Sequence, residues 1–133
     1  MIQTGIQGRQ QQTVKPEMTA AHVGSGLAPV FATPMMVALM ENTCAESVAP
    51  YLSEGESTVG TRLDITHDAA TPVGLDVWCE SELIEVDRRR LVFRVTAYDP
   101  AGPIGQGTHE RFVIQNEKFM AKVNAKIQCP NAV

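Results

Sequence analysis

The feature that most constrains the fold is the apolar stretch VFATPMMVALMENT, after which the periodicity changes from helical to alternating. Thr33 followed by Pro34 predicts a helix start, with Thr33 as the N-cap and the proline in the first turn. The helix should run from about Pro34 to Pro50, where proline and the polar segment SEGES end it. A helix this apolar is expected to be covered on most of its sides.

The chain after this helix is typical of antiparallel strands. STVGTRLDITHDA places Leu63, Ile65, His67 and Ala69 on one face, and LDVWCESELIEV, LVFRVTAYD and IGQGTHERFVIQ follow after turns. A first strand through QQTVKPEM and a short final helix in NEKFMAKVNAKI complete the pattern. We therefore predict an α+β hot-dog fold, with the sheet wrapped around a long central helix, as one domain over residues 1–133. The open sheet edges favour a homodimer, or a higher oligomer.

Composition limits the function classes. A net charge of -4 and no basic stripe argue against a nucleic-acid partner, and no apolar run is long enough to span a membrane. The three cysteines contain no C-x-x-C pair, which favours free thiols, and the N-terminus lacks a secretory profile, so we expect a cytoplasmic protein. Metal-ligand spacings, P-loops and dinucleotide fingerprints are not found in the sequence, so neither a metal nor a cofactor is expected.

Glu41 is the unusual residue of the helix. It shares a helical stripe with Val37, Cys44 and Val48, so it is predicted to face the core. A buried carboxylate must be paired or protonated, and burial raises its pKa, which suits a general base or a nucleophile. The alternative is a structural glutamate that turns to solvent or forms a salt bridge.

His67 interrupts the apolar face of its predicted strand. A lone histidine there is often a satisfied core residue, but Glu41 and His67 both project toward the interface of helix and sheet. Their independent placement suggests a catalytic pair. His109, in GTHER, is expected to form a hydrogen bond within the sheet rather than to act in catalysis.

The predicted helix start could also hold a developing oxyanion, because free backbone N–H groups and the positive end of the dipole meet there. Pro34 has no N–H, so the donors would be Met35, Met36 or an opposing loop.

Three segments together resemble a known family. VFATPMMVALMENTCAESVAPYL, GESTVGTRLDITHDAATPVG and IGQGTHERFVIQNEKFMAKV resemble the fluoroacetyl-CoA thioesterase-like family of hot-dog proteins, from about Val30 to Lys126. The resemblance implies that Thr33, Glu41 and His67 are the catalytic residues for hydrolysis of an acyl-CoA thioester. His67 should therefore reach both Thr33, at the helix start, and Glu41, about two turns further along. It also implies a dimer with sites formed between subunits.

We expect the acyl-CoA substrate to contact five further residues: Leu27, Met35, Met36, Gly60 and Arg111. Leu27 stands where the fluoroacetyl-specific member has an aromatic gate. We therefore expect a short or medium acyl-CoA as the substrate, without selectivity for the fluoroacetyl group. Two other functions stay open, namely a non-catalytic module that binds acyl-CoA and an enoyl-CoA hydratase or dehydratase.

Overall fold

The computed structural model describes residues 2–128, which contain one five-stranded antiparallel sheet. The strands are β1 (Gln7–Thr13), β2 (Glu56–His67), β3 (Asp76–Asp87), β4 (Arg90–Asp99) and β5 (Gly102–Gln115). Their order across the sheet is β1-β3-β4-β5-β2, so β1 and β2 are the edge strands. Helices α1 (Ala20–Val23) and α2 (Thr33–Val48) lie between β1 and β2 in the chain, and α3 (Asn116–Asn124) follows β5. The predicted α+β architecture is confirmed.

Helix α2 packs one side against the inner face of the sheet. Its buried side chains recur at helical spacing, and they are Met36, Leu39, Met40, Thr43, Cys44 and Val48. They share one core with Leu83, Phe93 and Val95 from β3 and β4. Ala38, on the other side of α2, is exposed, as is Glu46. The expectation that most of the helix is covered is therefore wrong for the single chain, which leaves one side of α2 open.

Strand β2 is paired on one side only, with β5. The pairing register shifts between Gly60 and Arg62, so the inward positions after this bulge are Leu63, Ile65 and His67, which are half-buried as predicted. Ala69 was predicted on the same face, but β2 ends at His67 and Ala69 is exposed. The chain turns there because the N–H of Ala69 donates to the carbonyl of Ile104.

The other boundaries agree with the sequence in part. Strand β1 begins earlier than predicted and ends at Thr13, because Pro16 starts a 3₁₀ turn (Pro16–Met18) instead of continuing the ladder. The predicted terminal helix is present as α3, and Cys129 lies outside the described residues. Within residues 2–128, no helix combines the length and hydropathy that crossing a membrane requires.

Candidate active site

The first functional cluster lies at the start of α2. Thr33 Oγ1 is 2.7 Å from Nδ1 of His67, the last residue of β2. The prediction that Thr33 is the N-cap is wrong: the N-cap is Ala32, and no side chain caps the helix. The Ala32 carbonyl instead accepts hydrogen bonds from the backbone N–H groups of Met35 and Met36, each at 3.0 Å. The Thr33 hydroxyl is thereby left for the histidine.

The same contacts correct the expected oxyanion donors. The N–H groups of Met35 and Met36 are already bonded within the first turn of α2, so they do not form a free donor pair. The donors to an oxyanion would then come from an opposing loop, which is the other source that the sequence allows.

The surroundings of His67 favour its neutral form. Burial lowers its pKa, and this effect is opposed by a backbone group of Ala69 and by the charge of Asp68. Its Nε2 is buried and has no hydrogen-bond partner among the described residues. A neutral imidazole with an unpartnered nitrogen can accept a proton during a reaction.

A small open cavity borders this cluster. Its volume is about 250 Å³, and it lies between the α1 region and the turn after β2. Its lining includes Ser25, Phe31, Thr33, His67 and Ala69. The Thr33–His67 pair is therefore accessible to a small group that enters from solvent.

The second cluster is centred on Glu41, two turns further along α2. Glu41 Oε2 is 3.6 Å from Nη1 of Arg111, and the Arg111 side chain is only 9% exposed while that of Glu41 is 42% exposed. Burial lowers the pKa of Arg111, and the nearby Glu41 raises it. The expectation of a buried Glu41 is thus wrong for the single chain, because the carboxylate is open to solvent on one side and faces a buried cation on the other.

Gly60 and His109 complete the second cluster. A Cβ atom at Gly60 would lie 2.6 Å from Glu41 Oε2 and 3.1 Å from Cε1 of His109, so a side chain at this position would displace the carboxylate. His109 Nε2 lies 3.1 Å from Nη1 of Arg111. The sequence predicted a sheet hydrogen bond for His109, which exists to the carbonyl of Arg62 at 2.8 Å, but it did not reveal the contact with Arg111.

The two clusters do not meet within one chain. His67 contacts Thr33, as predicted, whereas Glu41 faces Arg111. Thr33 and Glu41 are eight residues apart in α2, which corresponds to about 12 Å along the helix axis. The prediction that His67 reaches both Thr33 and Glu41 is therefore wrong for the isolated chain.

The remaining predicted substrate contacts occupy different environments. Leu27 is 97% exposed in the loop before α2, and Met36 is fully buried in the core. Met35 is half-buried at the start of α2. Their contact with substrate stays a prediction. Across residues 2–128, no group of three or more His, Cys, Asp or Glu side chains is arranged to hold a metal ion.

Comparison with known proteins assigns the chain to a family. The model of the fluoroacetyl-CoA-specific thioesterase family matches residues 14–117. This chain belongs to that family. The predicted class of enzyme, an acyl-CoA thioester hydrolase with a hot-dog fold, is confirmed at the level of the family.

Individual relatives agree with the family match. A fluoroacetyl-CoA thioesterase from Streptantibioticus cattleyicolor is 55% identical over 97 residues, which cover 73% of this chain and 70% of that protein. A crystal structure of the fluoroacetyl-CoA thioesterase superposes with a TM-score of 0.90 at 44% identity, covering 95% of this chain and 98% of that one. A thioesterase superfamily member from Thermus thermophilus superposes with a TM-score of 0.89 at 29% identity, covering 96% and 95%.

Proposed function

We propose that this thioesterase hydrolyses a short acyl-CoA thioester at a composite site, in which one subunit of a homodimer supplies Thr33 and His67 and the other supplies Glu41. The observation that carries the proposal is the separation of these residues into two clusters, each of which is open to solvent in the single chain. Neither cluster holds all three chemical groups that the family resemblance assigns to catalysis.

The edge strand supports this assembly. Strand β2 pairs with β5 on one side only, so its other edge is available to a second copy of β2. An antiparallel pairing about a two-fold axis near Leu63 and Asp64 would bring Gly60 of one copy toward His67 of the other. Because Gly60 lies against Glu41, this pairing would place Glu41 beside the Thr33–His67 pair of its partner. It would also cover the open side of α2.

The geometry favours definite roles for the three residues. The Glu41 carboxylate, held beside Arg111, attacks the thioester carbonyl carbon directly or through a water molecule that it deprotonates. Direct attack expels the CoA thiolate and leaves a Glu41 anhydride that one water molecule hydrolyses, whereas in the other route the oxygen of that water adds to the carbonyl carbon before the C–S bond breaks. In both routes the water supplies the proton for the thiolate, and neutral His67 carries it on Nε2, which is unpartnered and accepts when Nδ1 donates to Thr33. Thr33 fixes the His67 ring through the bond to Nδ1 and orients the acyl group at the helix start.

The size of the cavity supports a short acyl group. The space beside Thr33 and His67 is about 250 Å³ and is open to solvent, which suits a small acyl group with the pantetheine arm leading outward. A crystal structure of a point mutant of the related fluoroacetyl-CoA-specific thioesterase holds fluoroacetate and CoA, and this supports a substrate of the same class here.

Steady-state thiol release from a series of acyl-CoA esters tests the proposal. We expect Glu41→Gln to lower kcat/KM by about 10²- to 10⁴-fold, the usual contribution of such a group. Glu54→Gln, at an exposed glutamate in the turn before β2, is the matched control for Glu41→Gln, and His22→Ala, at an exposed histidine of α1, is the matched control for His67→Ala. Wild-type kcat/KM in a folded Glu41→Gln protein would refute the assigned role. Product that keeps its thioester would instead favour the hydratase, and binding without turnover would favour the non-catalytic module.

We also propose a cytoplasmic location. Cys44 and Cys79 are both free and fully buried, which suits a reducing compartment. Fractionation of the native host, with detection of the enzyme by thiol release from acyl-CoA, tests this location.

A further inference from the structure

His109 is the buried histidine of the Glu41 cluster, and the roles assigned above do not use it. It lies at the centre of β5 with 1% of its surface exposed, and its ring is 6.5 Å from that of Phe93 on β4. Both ring nitrogens have partners, the Arg62 carbonyl at Nδ1 and the Arg111 guanidinium at Nε2.

These two partners fix the protonation state of the ring. A backbone carbonyl only accepts, so Nδ1 of His109 must carry the proton and donate to Arg62. A guanidinium only donates, so Nε2 must present its lone pair to Arg111. The arrangement therefore requires a neutral imidazole of one tautomer, and a second proton would turn Nε2 toward Arg111 as a competing donor.

The charges around the ring agree with this state. Burial and the Arg111 charge lower the pKa of His109, with burial the larger effect, while the Arg62 carbonyl, Glu41 and Glu110 act in the opposite direction. Glu41 faces the ring from α2, and Arg111 and Glu110 belong to the same strand. The net effect is a lowered pKa, which keeps the acceptor available at neutral pH.

Arg111 is held mainly by groups other than Glu41. Its Nε donates to Thr58 Oγ1 at 2.8 Å, and its Nη2 donates to the Thr58 carbonyl at 2.9 Å. Its Nη1 lies 3.1 Å from His109 Nε2 but 3.6 Å from Glu41 Oε2, which is longer than a hydrogen bond. Thr58 thus fixes one side of the guanidinium, and His109 fixes the nitrogen that faces Glu41.

We propose that His109 is a positioning residue, which as a neutral hydrogen-bond acceptor holds Nη1 of Arg111 against Glu41 and so sets the place of the reacting carboxylate. This inference rests on the role proposed for Glu41. The packing at Gly60 supports it independently, because a Cβ there would come within 3.3 Å of Arg111 Nη1 as well as close to Glu41 and His109. The carboxylate, the guanidinium and the imidazole therefore all border the position of Gly60.

Two substitutions of similar size separate positioning from bulk. In His109→Gln, the amide can donate to the Arg62 carbonyl and its oxygen can accept from Arg111, so both bonds of the neutral imidazole are reproduced. His109→Met fills the space but offers Arg111 no comparable acceptor. We expect kcat to fall by roughly 10- to 100-fold in the Met protein, as for the loss of a hydrogen bond to a charged group. In the Gln protein most of that loss should be recovered, and His22→Gln should behave as the wild type.

The outcomes distinguish this inference from the proposed function. Wild-type kcat in a folded His109→Met protein, or equal losses in the Met and Gln proteins when both are folded by circular dichroism, would overturn the positioning role. If that occurs while Glu41→Gln is inactive, the composite site stands and only the role of His109 fails. Should neither variant fold, ¹⁵N NMR of the wild-type ring decides: a proton on Nδ1 alone at neutral pH supports the inference, and an imidazolium or the other tautomer overturns it.

Discussion

Mixing two inactive variants gives the most direct test of the composite site. A Glu41→Gln subunit retains Thr33 and His67, and a His67→Ala subunit retains Glu41. When the two are unfolded together and refolded, a hybrid dimer contains one site with both substitutions and one site with neither. The intact site forms only if Glu41 acts with the His67 of its partner, as the separation of about 12 Å between Thr33 and Glu41 along α2 requires.

The expected magnitude follows from the geometry of two sites per dimer. Random association at equal concentrations makes about half of the dimers hybrids, and each hybrid carries one intact site of two. The mixture should therefore recover about a quarter of the wild-type thiol-release rate at equal total protein. The assay is initial thiol release from acetyl-CoA before and after co-refolding, with size-exclusion chromatography to confirm the dimer.

A matched pair of variants controls for nonspecific recovery. Glu41 and Arg111 belong to the same cluster of one chain, so mixing Glu41→Gln with Arg111→Met should leave every site damaged. Activity in the first mixture that never exceeds the sum of the separate proteins, with hybrid dimers demonstrably formed, would refute the division of the site between subunits. Recovery in the control mixture would refute the assignment of Glu41 and Arg111 to one half-site.

Three further predictions concern the packing or burial of individual residues. Gly60→Ala should lower kcat/KM by at least about tenfold, since the new Cβ displaces the Glu41 carboxylate. The melting temperature should stay unchanged or rise slightly, because alanine favours a strand over glycine. Wild-type kinetics would contradict the close packing of Gly60 against Glu41 Oε2. In a Cys129→Ser protein, Cys44 and Cys79 should react with a thiol reagent only on unfolding, because burial raises the pKa of both thiols, that of Cys79 to about 11; rapid labelling of this protein in its native state would refute the prediction. Burial lowers the pKa of His67 below its ordinary value of 6.5, so the unfolded state binds the proton first as the pH falls. The melting temperature should therefore fall as the pH drops through that value, and should fall less in His67→Gln. The same pH dependence of the melting temperature in both proteins would argue against the shift.

Local patterns in the sequence determined the elements and their faces. The apolar helical period located α2 to within a few residues, and alternation placed Leu63, Ile65 and His67 on the inward face of β2. These features follow from side-chain spacing along one segment, so they are readable without any knowledge of distant residues. The resemblance of three segments to a thioesterase family added the class of chemistry, which periodicity alone did not supply.

Only the tertiary structure decided which of these residues meet. A pattern tells which face a side chain occupies, but the position at which a strand crosses a helix depends on sheet register and on the bulge at Gly60. For this reason His67 falls beside Thr33 and not beside Glu41, and Glu41 falls beside Arg111.

The same dependence on register hid the surroundings of His109 and of Glu41. Alternation along β5 puts His109 and Arg111 on one face, but the bond between them also depends on Thr58 of the neighbouring strand β2, which binds the other side of the guanidinium. Helical spacing put Glu41 on a stripe with apolar neighbours, but it carried no information about the cation on a distant strand. The carboxylate is open on one side and faces a buried guanidinium of β5 on the other, and it lies against Gly60 of β2.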